Sequence, residues 1–168
     1  MDHKMSRNIK AGSYSLTDFI MILISNKVRF VFIFILGFMW FQHHSDKKMV
    51  KKAVKSLTVA LMMNFLIKLF YYKPRPFMKR RVRILIPSKM DSSFPSKHTL
   101  LVFAISTTVF LCKRVLGLIM LGLSVLTGIS RIWVGHHYPS DIIGSAVIGS
   151  IIGIVIEKMS RFSNFFNR

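Results

Sequence analysis

Long apolar runs alternate with short basic bands along this chain, and this alternation limits its fold more than any other feature. Of the 168 residues, 52% are hydrophobic, yet 25 Lys and Arg oppose only 6 Asp and Glu, for a formal net charge of +19. A soluble basic protein that binds nucleic acid is usually more polar, with its charge on helical faces or tails. Banded charge between apolar runs is typical of membrane spans with basic loops near anionic headgroups. We therefore predict an integral membrane protein rather than a nucleic-acid binder.

The apolar runs predict an all-α fold, a polytopic transmembrane helix bundle with about five to six membrane segments. We expect a single domain over residues 1–168, with a polar N-terminal segment, 1–15, and a basic tail, 157–168. The uncharged cores are short against the roughly 20 residues that a bilayer requires, but flanking Lys and Arg side chains can snorkel. The first predicted piece is an interfacial or half-inserted segment, Leu16–Ser25, whose insertion the sequence leaves open. The predicted spans that follow are Val28–Phe41, Ala53–Tyr72, His98–Cys112, Val115–Val134 and Asp141–Ile156.

The polar connections are predicted to fall on two sides of the membrane. A basic loop, His43–Lys52, and a tight turn, Lys113–Arg114, share one side with the C-terminus. The long loop Lys73–Lys97 and the stretch Ser130–Asp141 share the other, which holds every proline. Because both sides are basic, the positive-inside rule does not fix the orientation.

Small residues recur at helical spacing in the last two spans. Ser145, Gly149 and Gly153 lie four residues apart, as do Ser124 and Gly128. A face of small side chains lets transmembrane helices approach closely. We interpret these positions as helix-packing surfaces rather than chemistry.

The first candidate functional group is Lys68 with Arg75 and Pro76, in "KLFYYKPRP". A charge within an apolar helix is functional by default, since inserting it costs roughly 2.5 to 3.5 kcal/mol. The structural alternative is a lysine that snorkels from a helix end. Pro74 and Pro76 favour an extended chain around Arg75.

The second group is "SFPSKHT", in which Ser96 is a candidate N-cap and His98 falls in the first helical turn. A helix start presents unpaired backbone N–H groups and the positive end of the helix dipole, which together favour an anion. The alternative is ordinary capping with a merely polar histidine.

The third group is "SRIWVGHHYPSD", with Arg131, His137 and Asp141. If a helix begins near Pro139, His137 and Asp141 are predicted to lie close on one face. A carboxylate beside a histidine fixes its tautomer and makes it a better base or nucleophile. The alternative is a helix cap by Ser140 or Asp141 with solvated histidines.

Together these groups predict a phosphate site without a metal or cofactor. Only Asp91 and Asp141 are acidic in the two loops, whereas Mg²⁺, Ca²⁺ or a two-metal centre needs several oxygen ligands. Zinc bound by His98, His136 and His137 is disfavoured because the surrounding cations would repel it. Guanidinium and ammonium groups would instead hold phosphate oxygens while a histidine attacks phosphorus in line.

The three motifs resemble those of the type 2 phosphatidic acid phosphatase superfamily. Lys68, six residues and then Arg75–Pro76 resemble its first motif, "PSKH" its second, and Ser-Arg, five residues, His, three residues and Asp its third. Within the superfamily, "KPRPF", "LIPSKMDSSFPS" and "SRIWVGHHYPSD" look most like the bacterial bacitracin-resistance type of undecaprenyl-diphosphate phosphatase.

The resemblance implies roles for individual residues. His137 would be the nucleophile that forms a phosphohistidine, Asp141 would orient it, and His98 would protonate the departing oxygen. The expected phosphate-binding residues are Lys68, Arg75, Ser96, Lys97 through its backbone N–H, and Arg131. Lys97 departs from the family by replacing the usual glycine, which leaves substrate details open. His136 aligns with no catalytic position, and we assign it a structural role.

The leading expectation is release of the terminal phosphate from a polyprenyl diphosphate, without a metal, by a multi-pass protein of the cell membrane whose site faces outward. The alternatives are a phosphatase for phosphatidate or phosphatidylglycerophosphate and a non-catalytic basic protein that binds anionic lipid. A soluble nucleic-acid binder is the least favoured reading. The sequence leaves the oligomeric state open.

Overall fold

The structure of this chain, a computed structural model, describes residues 15–42, 44–79, 85–86 and 91–166. The predicted polar segment 1–15 therefore lies outside the described residues except for Ser15. Within the described residues the protein forms six helices: α1 (Leu16–Phe41), α2 (His44–Phe70), α3 (Pro76–Lys79), α4 (Lys97–Cys112), α5 (Arg114–Trp133) and α6 (Pro139–Phe166).

The helices confirm the predicted all-α membrane bundle. Four of them, α1, α2, α5 and α6, are long and apolar enough to cross a bilayer, and α4 is a shorter apolar helix of 16 residues. A helix satisfies its backbone hydrogen bonds internally, which a chain within hydrocarbon requires. The five apolar helices of the described chain agree with the predicted five to six segments.

The polar stretch Ser25–Arg29 does not interrupt the first helix. We predicted an interfacial piece, Leu16–Ser25, and a separate span, Val28–Phe41, but both belong to the continuous helix α1. That prediction was wrong because a buried polar side chain can find a partner on a neighbouring helix. The Ser25 hydroxyl is buried and accepts a hydrogen bond from Arg131 Nη1 at 2.8 Å.

The second helix also begins earlier than predicted. The segment His43–Lys52 was expected to be a loop, but α2 begins at His44. Asp46 lies in its first turn, where a carboxylate interacts favourably with the helix dipole. Lys47, Lys48 and Lys51 in the following turns are exposed, and Lys52 is paired with Glu157 of α6, so their charge does not prevent helix formation.

The last helix likewise continues through most of the predicted basic tail, 157–168. The helix extends past Ile156, where we predicted the fifth span to end, and reaches Phe166. Glu157 and Arg161 are one helical turn apart and form an ion pair of 2.9 Å between Oε1 and Nε. Such a pair at i,i+4 stabilises a helix, whereas the composition alone indicated only a charged tail.

Helix α4 lies at the centre of the bundle and packs against α2, α5 and α6. The predicted packing face of α6 is confirmed, since a Cβ atom at Gly149 would lie 2.5 Å from the Leu100 carbonyl oxygen of α4. Gly153 meets Ala104 of α4 in the same way. Close approach of α4 and α6 therefore requires the small residues of this face.

Ion pairs join the helices at the end of the bundle that is remote from the three sequence motifs. We call this the opposite end. Lys113, the one residue between α4 and α5, contacts Asp46 of α2 at 2.7 Å. Lys52 of α2 contacts Glu157 of α6 at 2.9 Å. The α4–α5 connection therefore lies beside the start of α2 and the last third of α6, on one side of the bundle as the sequence predicted.

Candidate active site

The other end of the bundle, which we call the site end, collects all three predicted motifs. They are carried by the last turn of α2 and the segment after it, by residues 91–96 and the start of α4, and by the turn that connects α5 to α6. Parts of the predicted loop Lys73–Lys97 lie outside the described residues, namely 80–84 and 87–90. The described remainder includes α3.

His137 lies in the turn between α5 and α6 and is buried. Gly135 precedes it with φ of 80°, a left-handed conformation that favours glycine and turns the chain toward the bundle. The His137 Nδ1 atom lies 2.7 Å from the Ser93 carbonyl oxygen. Because a carbonyl only accepts, Nδ1 must donate its proton, and the Nε2 lone pair is left for reaction.

The electrostatic surroundings keep His137 uncharged. Burial lowers its pKa well below the usual value, and the charges of Arg131 and Arg75 lower it further. The hydrogen bond to Ser93 acts in the opposite direction but is the smaller effect. A neutral imidazole is the form that a nucleophile requires.

Asp141 is fully buried at the start of α6 and accepts three hydrogen bonds. The donors are Lys73 Nζ at 2.5 Å, the Ser93 hydroxyl at 2.5 Å and the Tyr138 backbone N–H at 3.1 Å. We predicted that His137 and Asp141 would lie close on one helix face, but His137 precedes α6 and its ring bonds to the Ser93 carbonyl. Ser93 therefore connects the two residues, with its hydroxyl on Asp141 and its carbonyl on His137.

Lys68 and Arg75 meet at one carboxylate. Lys68 Nζ lies 2.8 Å from Asp91 Oδ2, and Arg75 Nε lies 2.9 Å from Asp91 Oδ1. Arg75 is buried and its Nη1 also donates to the His136 carbonyl at 3.4 Å. The first predicted motif thus reaches the third motif through the guanidinium of Arg75.

Arg131 is a buried cation in the last turn of α5. Its Nη1 donates to Ser25, whereas its Nε has no hydrogen-bond partner within the described residues. Its charge acts on His98 and His137, which places these side chains in one electrostatic neighbourhood. A buried guanidinium without a carboxylate partner is costly unless an anion binds there.

The start of α4 contributes Ser96, Lys97 and His98. Ser96 takes the predicted N-cap position, but its side chain makes no capping bond. Its backbone N–H donates to Ser145 of α6 at 2.8 Å, and its hydroxyl is paired with Thr99. His98 is half-buried, and the side chain of Lys97, which replaces the usual glycine of the family, is exposed.

His136 is held by a backbone bond of its own. Its Nε2 lies 2.8 Å from the Ile86 carbonyl oxygen. Burial lowers its pKa to about 4, with the bond to Ile86 acting the other way and the charges of Arg131 and Arg75 adding to the decrease. These contacts tie the 85–86 segment to the site and accord with the structural role assigned to His136.

Three residues that the sequence did not single out complete this end of the bundle. Ser25, Lys73 and Ser93 each bond to a predicted site residue, as described above. Lys73 also lies over the Tyr138 ring, with its Nζ 4.9 Å from the ring centroid. The only sequence signal for Lys73 and Ser93 was their position inside motifs quoted for other residues. The signal for Ser25 was its place in the polar stretch Ser25–Arg29 of an otherwise apolar run.

A cavity of about 270 Å³ opens beside this end of the bundle. It is lined by Tyr71, Lys73, Phe94, Ser140 and Asp141. Among the described residues, no group of three or more His, Cys, Asp or Glu side chains is arranged to hold a metal ion.

The fold and this site define a multi-pass helical membrane enzyme with a histidine among buried cations. Residues 50–165 match the PAP2 superfamily, more than half of the chain, and the protein belongs to that superfamily of phosphatases.

The comparisons with individual proteins agree with this assignment. The chain is 40% identical to undecaprenyl-diphosphatase BcrC of Bacillus subtilis over 95% of this chain and 84% of that protein. Aquifex aeolicus LpxE has the same architecture, with a TM-score of 0.76 at 27% identity over 88% of each chain. A phosphatidylglycerolphosphate phosphatase of Bacillus subtilis shares the fold, with a TM-score of 0.68 at 20% identity over 86% of this chain and 77% of that one. The protein is therefore a lipid phosphatase.

Proposed function

We propose that the protein releases the terminal phosphate of undecaprenyl diphosphate, without a metal ion, through a phosphohistidine at His137. The observation that carries this proposal is the bond from His137 Nδ1 to the Ser93 carbonyl, which leaves Nε2 unprotonated among buried cations. The substrate is supported by the similarity to undecaprenyl-diphosphatase BcrC along almost the whole chain.

In the first step, His137 Nε2 attacks the terminal phosphorus in line with the bridging oxygen. The N–P bond forms as the P–O bridge breaks, and the lipid monophosphate departs with a proton from the imidazolium form of His98, which the negative charge of the bound diphosphate would stabilise. In the second step, water attacks the phosphohistidine, His98 accepts the proton of that water, and inorganic phosphate leaves. Each step transfers one phosphoryl group and one proton.

The cations act on the charge of the transferring phosphoryl group. Arg75, Arg131 and Lys68 would hold its non-bridging oxygens, and the free backbone N–H groups at the start of α4 would add donors. The burial of Arg75 and Arg131 excludes water, which strengthens their interactions with the phosphoryl group relative to a surface site.

Lys73, Asp141 and Ser93 would position the nucleophile rather than touch the substrate. Lys73 neutralises Asp141, Asp141 fixes the Ser93 hydroxyl, and the Ser93 backbone carbonyl fixes the His137 tautomer. Histidine nucleophiles require such an orienting group, which in this site acts through an intermediate residue.

The test is phosphate release from purified protein with undecaprenyl diphosphate, phosphatidate and phosphatidylglycerophosphate as separate substrates, each with and without a chelator. We expect the diphosphate to be hydrolysed fastest, at a rate that the chelator does not change. Faster release from either glycerolipid contradicts the substrate assignment, and complete loss with chelator contradicts the metal-free mechanism.

His137→Ala tests the chemistry in the same assay. We expect it to lower the rate by about 10³-fold or more, since the nucleophile is removed. His44→Ala is the matched control, because His44 is an exposed histidine at the opposite end of the bundle. Retention of phosphate release by His137→Ala would contradict His137 as the nucleophile, and absence of release by the native protein would favour the alternative of a non-catalytic lipid-binding protein.

We further propose that the site end faces the outside of the cell membrane. Two cysteines test this orientation, namely native Cys112 at the opposite end and Tyr72→Cys at the site end in a Cys112→Ala background. An impermeant thiol reagent added to whole cells should label Tyr72→Cys and spare Cys112, with both labelled after permeabilisation. The reverse pattern would place the site on the inner face.

A further inference from the structure

Asp91 stands out because it is the exposed member of two ion pairs with buried or half-buried partners. Its carboxylate is 45% exposed, whereas the Arg75 side chain is 7% exposed and Lys68 is 21% exposed. Its neighbours Ser92 and Ser93 are buried, and the Ser93 hydroxyl donates to Asp141 at the start of α6. The Asp91 carboxylate therefore extends from an anchored backbone to the side chains of Lys68 and Arg75.

The bonds of Asp91 occupy the donors that a phosphoryl group would use. Both Nε and Nη2 of Arg75 point at Asp91 Oδ1, which is the edge of a guanidinium that binds phosphate through two parallel hydrogen bonds. Lys68 Nζ holds the second carboxylate oxygen. A carboxylate and a phosphate present similar pairs of anionic oxygens, so Asp91 stands where a substrate phosphate would bind.

Asp91 keeps its charge throughout the physiological range. Burial raises its pKa, but the hydrogen bonds and charges of Lys68 and Arg75 outweigh burial and hold the pKa below its usual value. A phosphate bound to the same two cations would lie beside this negative charge. Two anions in such close contact repel each other, so the carboxylate and the phosphate compete for the cations.

We propose that Asp91 is an internal competitor that occupies the phosphate-binding cations of the resting enzyme and is displaced by the terminal phosphate of the substrate. This inference rests on the proposed function of Lys68 and Arg75. This competition excludes free phosphate more than the substrate, because a membrane-anchored diphosphate arrives at high local concentration whereas free phosphate does not. The same competition returns Asp91 to the cations after the reaction and weakens retention of the phosphate product.

The size of the change in phosphate affinity depends on the fraction of time for which Asp91 occupies the two cations. If the cations are free of Asp91 for about a tenth to a fifth of the time, the apparent affinity for phosphate falls by about five- to tenfold. Removing the carboxylate should restore that affinity. The opposite expectation holds if Asp91 merely orients Lys68 and Arg75, since its removal would then weaken phosphate binding.

The test is inorganic phosphate binding to the purified full-length protein, measured as the inhibition constant of phosphate and as phosphate-dependent protection from thermal unfolding. Asp91→Asn keeps the size of the side chain and removes its charge. We expect it to bind phosphate about five- to tenfold more tightly than the native protein. Unchanged or weaker phosphate binding overturns the proposal.

Two further variants separate competition from a general change of charge. Asp18→Asn removes a carboxylate at the same end of the bundle, where Asp18 accepts a hydrogen bond from Trp133 Nε1. Asp91→Glu retains the carboxylate at position 91. We expect both to bind phosphate within about twofold of the native protein, and an effect of Asp18→Asn equal to that of Asp91→Asn also overturns the proposal.

The two hypotheses fail in different ways. Phosphate binding to the resting protein needs no lipid, so the Asp91 result stands even if undecaprenyl diphosphate proves to be the wrong substrate. If instead the substrate is correct and Asp91→Asn leaves phosphate affinity unchanged, the competition alone is wrong. Unfolding temperature without phosphate shows whether each variant is folded.

Discussion

Apart from Asp141, which is buried beside Lys73 at the site end, the two ends of the bundle bury opposite members of their ion pairs. At the opposite end the carboxylates are buried, Asp46 at 2% and Glu157 at 4% side-chain exposure, and their partners Lys113 and Arg161 reach toward solvent. At the site end the guanidiniums of Arg75 and Arg131 are buried. The exposed partner there is the carboxylate of Asp91.

This difference separates a structural ion-pair network from a binding site. A buried carboxylate with several donors is satisfied by the protein alone, and the long cationic side chains lose little by remaining in water. A buried guanidinium without its own carboxylate leaves binding capacity for an external anion. Arg131, whose hydrogen bond goes to a neutral serine, is the strongest example within the described residues.

The largest expected effect comes from replacing Arg131 by an apolar residue of similar length. We expect Arg131→Met to lower kcat/KM by about 10³-fold, equivalent to about 4 kcal/mol of transition-state stabilisation. Because it removes a buried charge, it should leave the unfolding temperature unchanged or raised. Phosphate release and thermal unfolding in detergent measure the two effects. A large decrease in both kcat/KM and the unfolding temperature would indicate a structural role for Arg131.

Glu157→Gln should show the reverse pattern at the opposite end. It removes the buried charge that Lys52 and Arg161 share, and we expect a loss of about 1–3 kcal/mol in the free energy of unfolding. The effect on kcat/KM should be less than about twofold, since Glu157 lies at the other end of the bundle. Denaturant unfolding and the lipid assay test this, and a selective loss of activity would break the distinction between the two ends.

Acid should destabilise the site end through its buried neutral histidines. The pKa of His136 is lowered to about 4 and that of His137 is lowered well below 6.5, so the unfolded chain binds more protons than the folded one below pH 6.5. The contribution of these neutral histidines to the free energy of unfolding is therefore fully present above pH 6.5. It is lost as the pH falls, by at most about 1.4 kcal/mol per pH unit for each histidine.

Thermal unfolding between pH 7.5 and 4.5 measures this loss. His137→Gln should make the pH dependence of the unfolding temperature shallower. Equal slopes in the native protein and His137→Gln would show that His137 is not held neutral by the fold.

The smallest expected effect concerns the contact between α1 and the site. Ser25→Ala removes the hydroxyl that accepts from Arg131 Nη1, and we expect kcat/KM to fall by about five- to tenfold. Ser25→Thr keeps a hydroxyl at this position and should retain most of the activity. Equal losses in Ala and Thr variants would assign the effect to packing rather than to the position of Arg131.

Much of the architecture could be predicted because helix formation and membrane insertion depend on local composition. The apolar runs indicated the helices, Ser96 and Pro139 marked the starts of α4 and α6, and the small residues around Gly149 indicated the face that meets α4. The errors at Ser25 and at the start of α2 share one cause. Polar residues look like interruptions in a sequence when their partners lie on other helices.

The sequence by itself determined the class of this protein, because apolar run length, banded charge and motif spacing are local properties that survive without coordinates. The tertiary structure alone decided how the polar groups are paired. It directed His137 to Ser93 rather than to Asp141, brought Lys73 to Asp141 and Asp91 to two cations, and gave Arg131 a serine of α1. A hydrogen bond depends on distances of a few tenths of an ångström between distant segments, which only the packed bundle fixes.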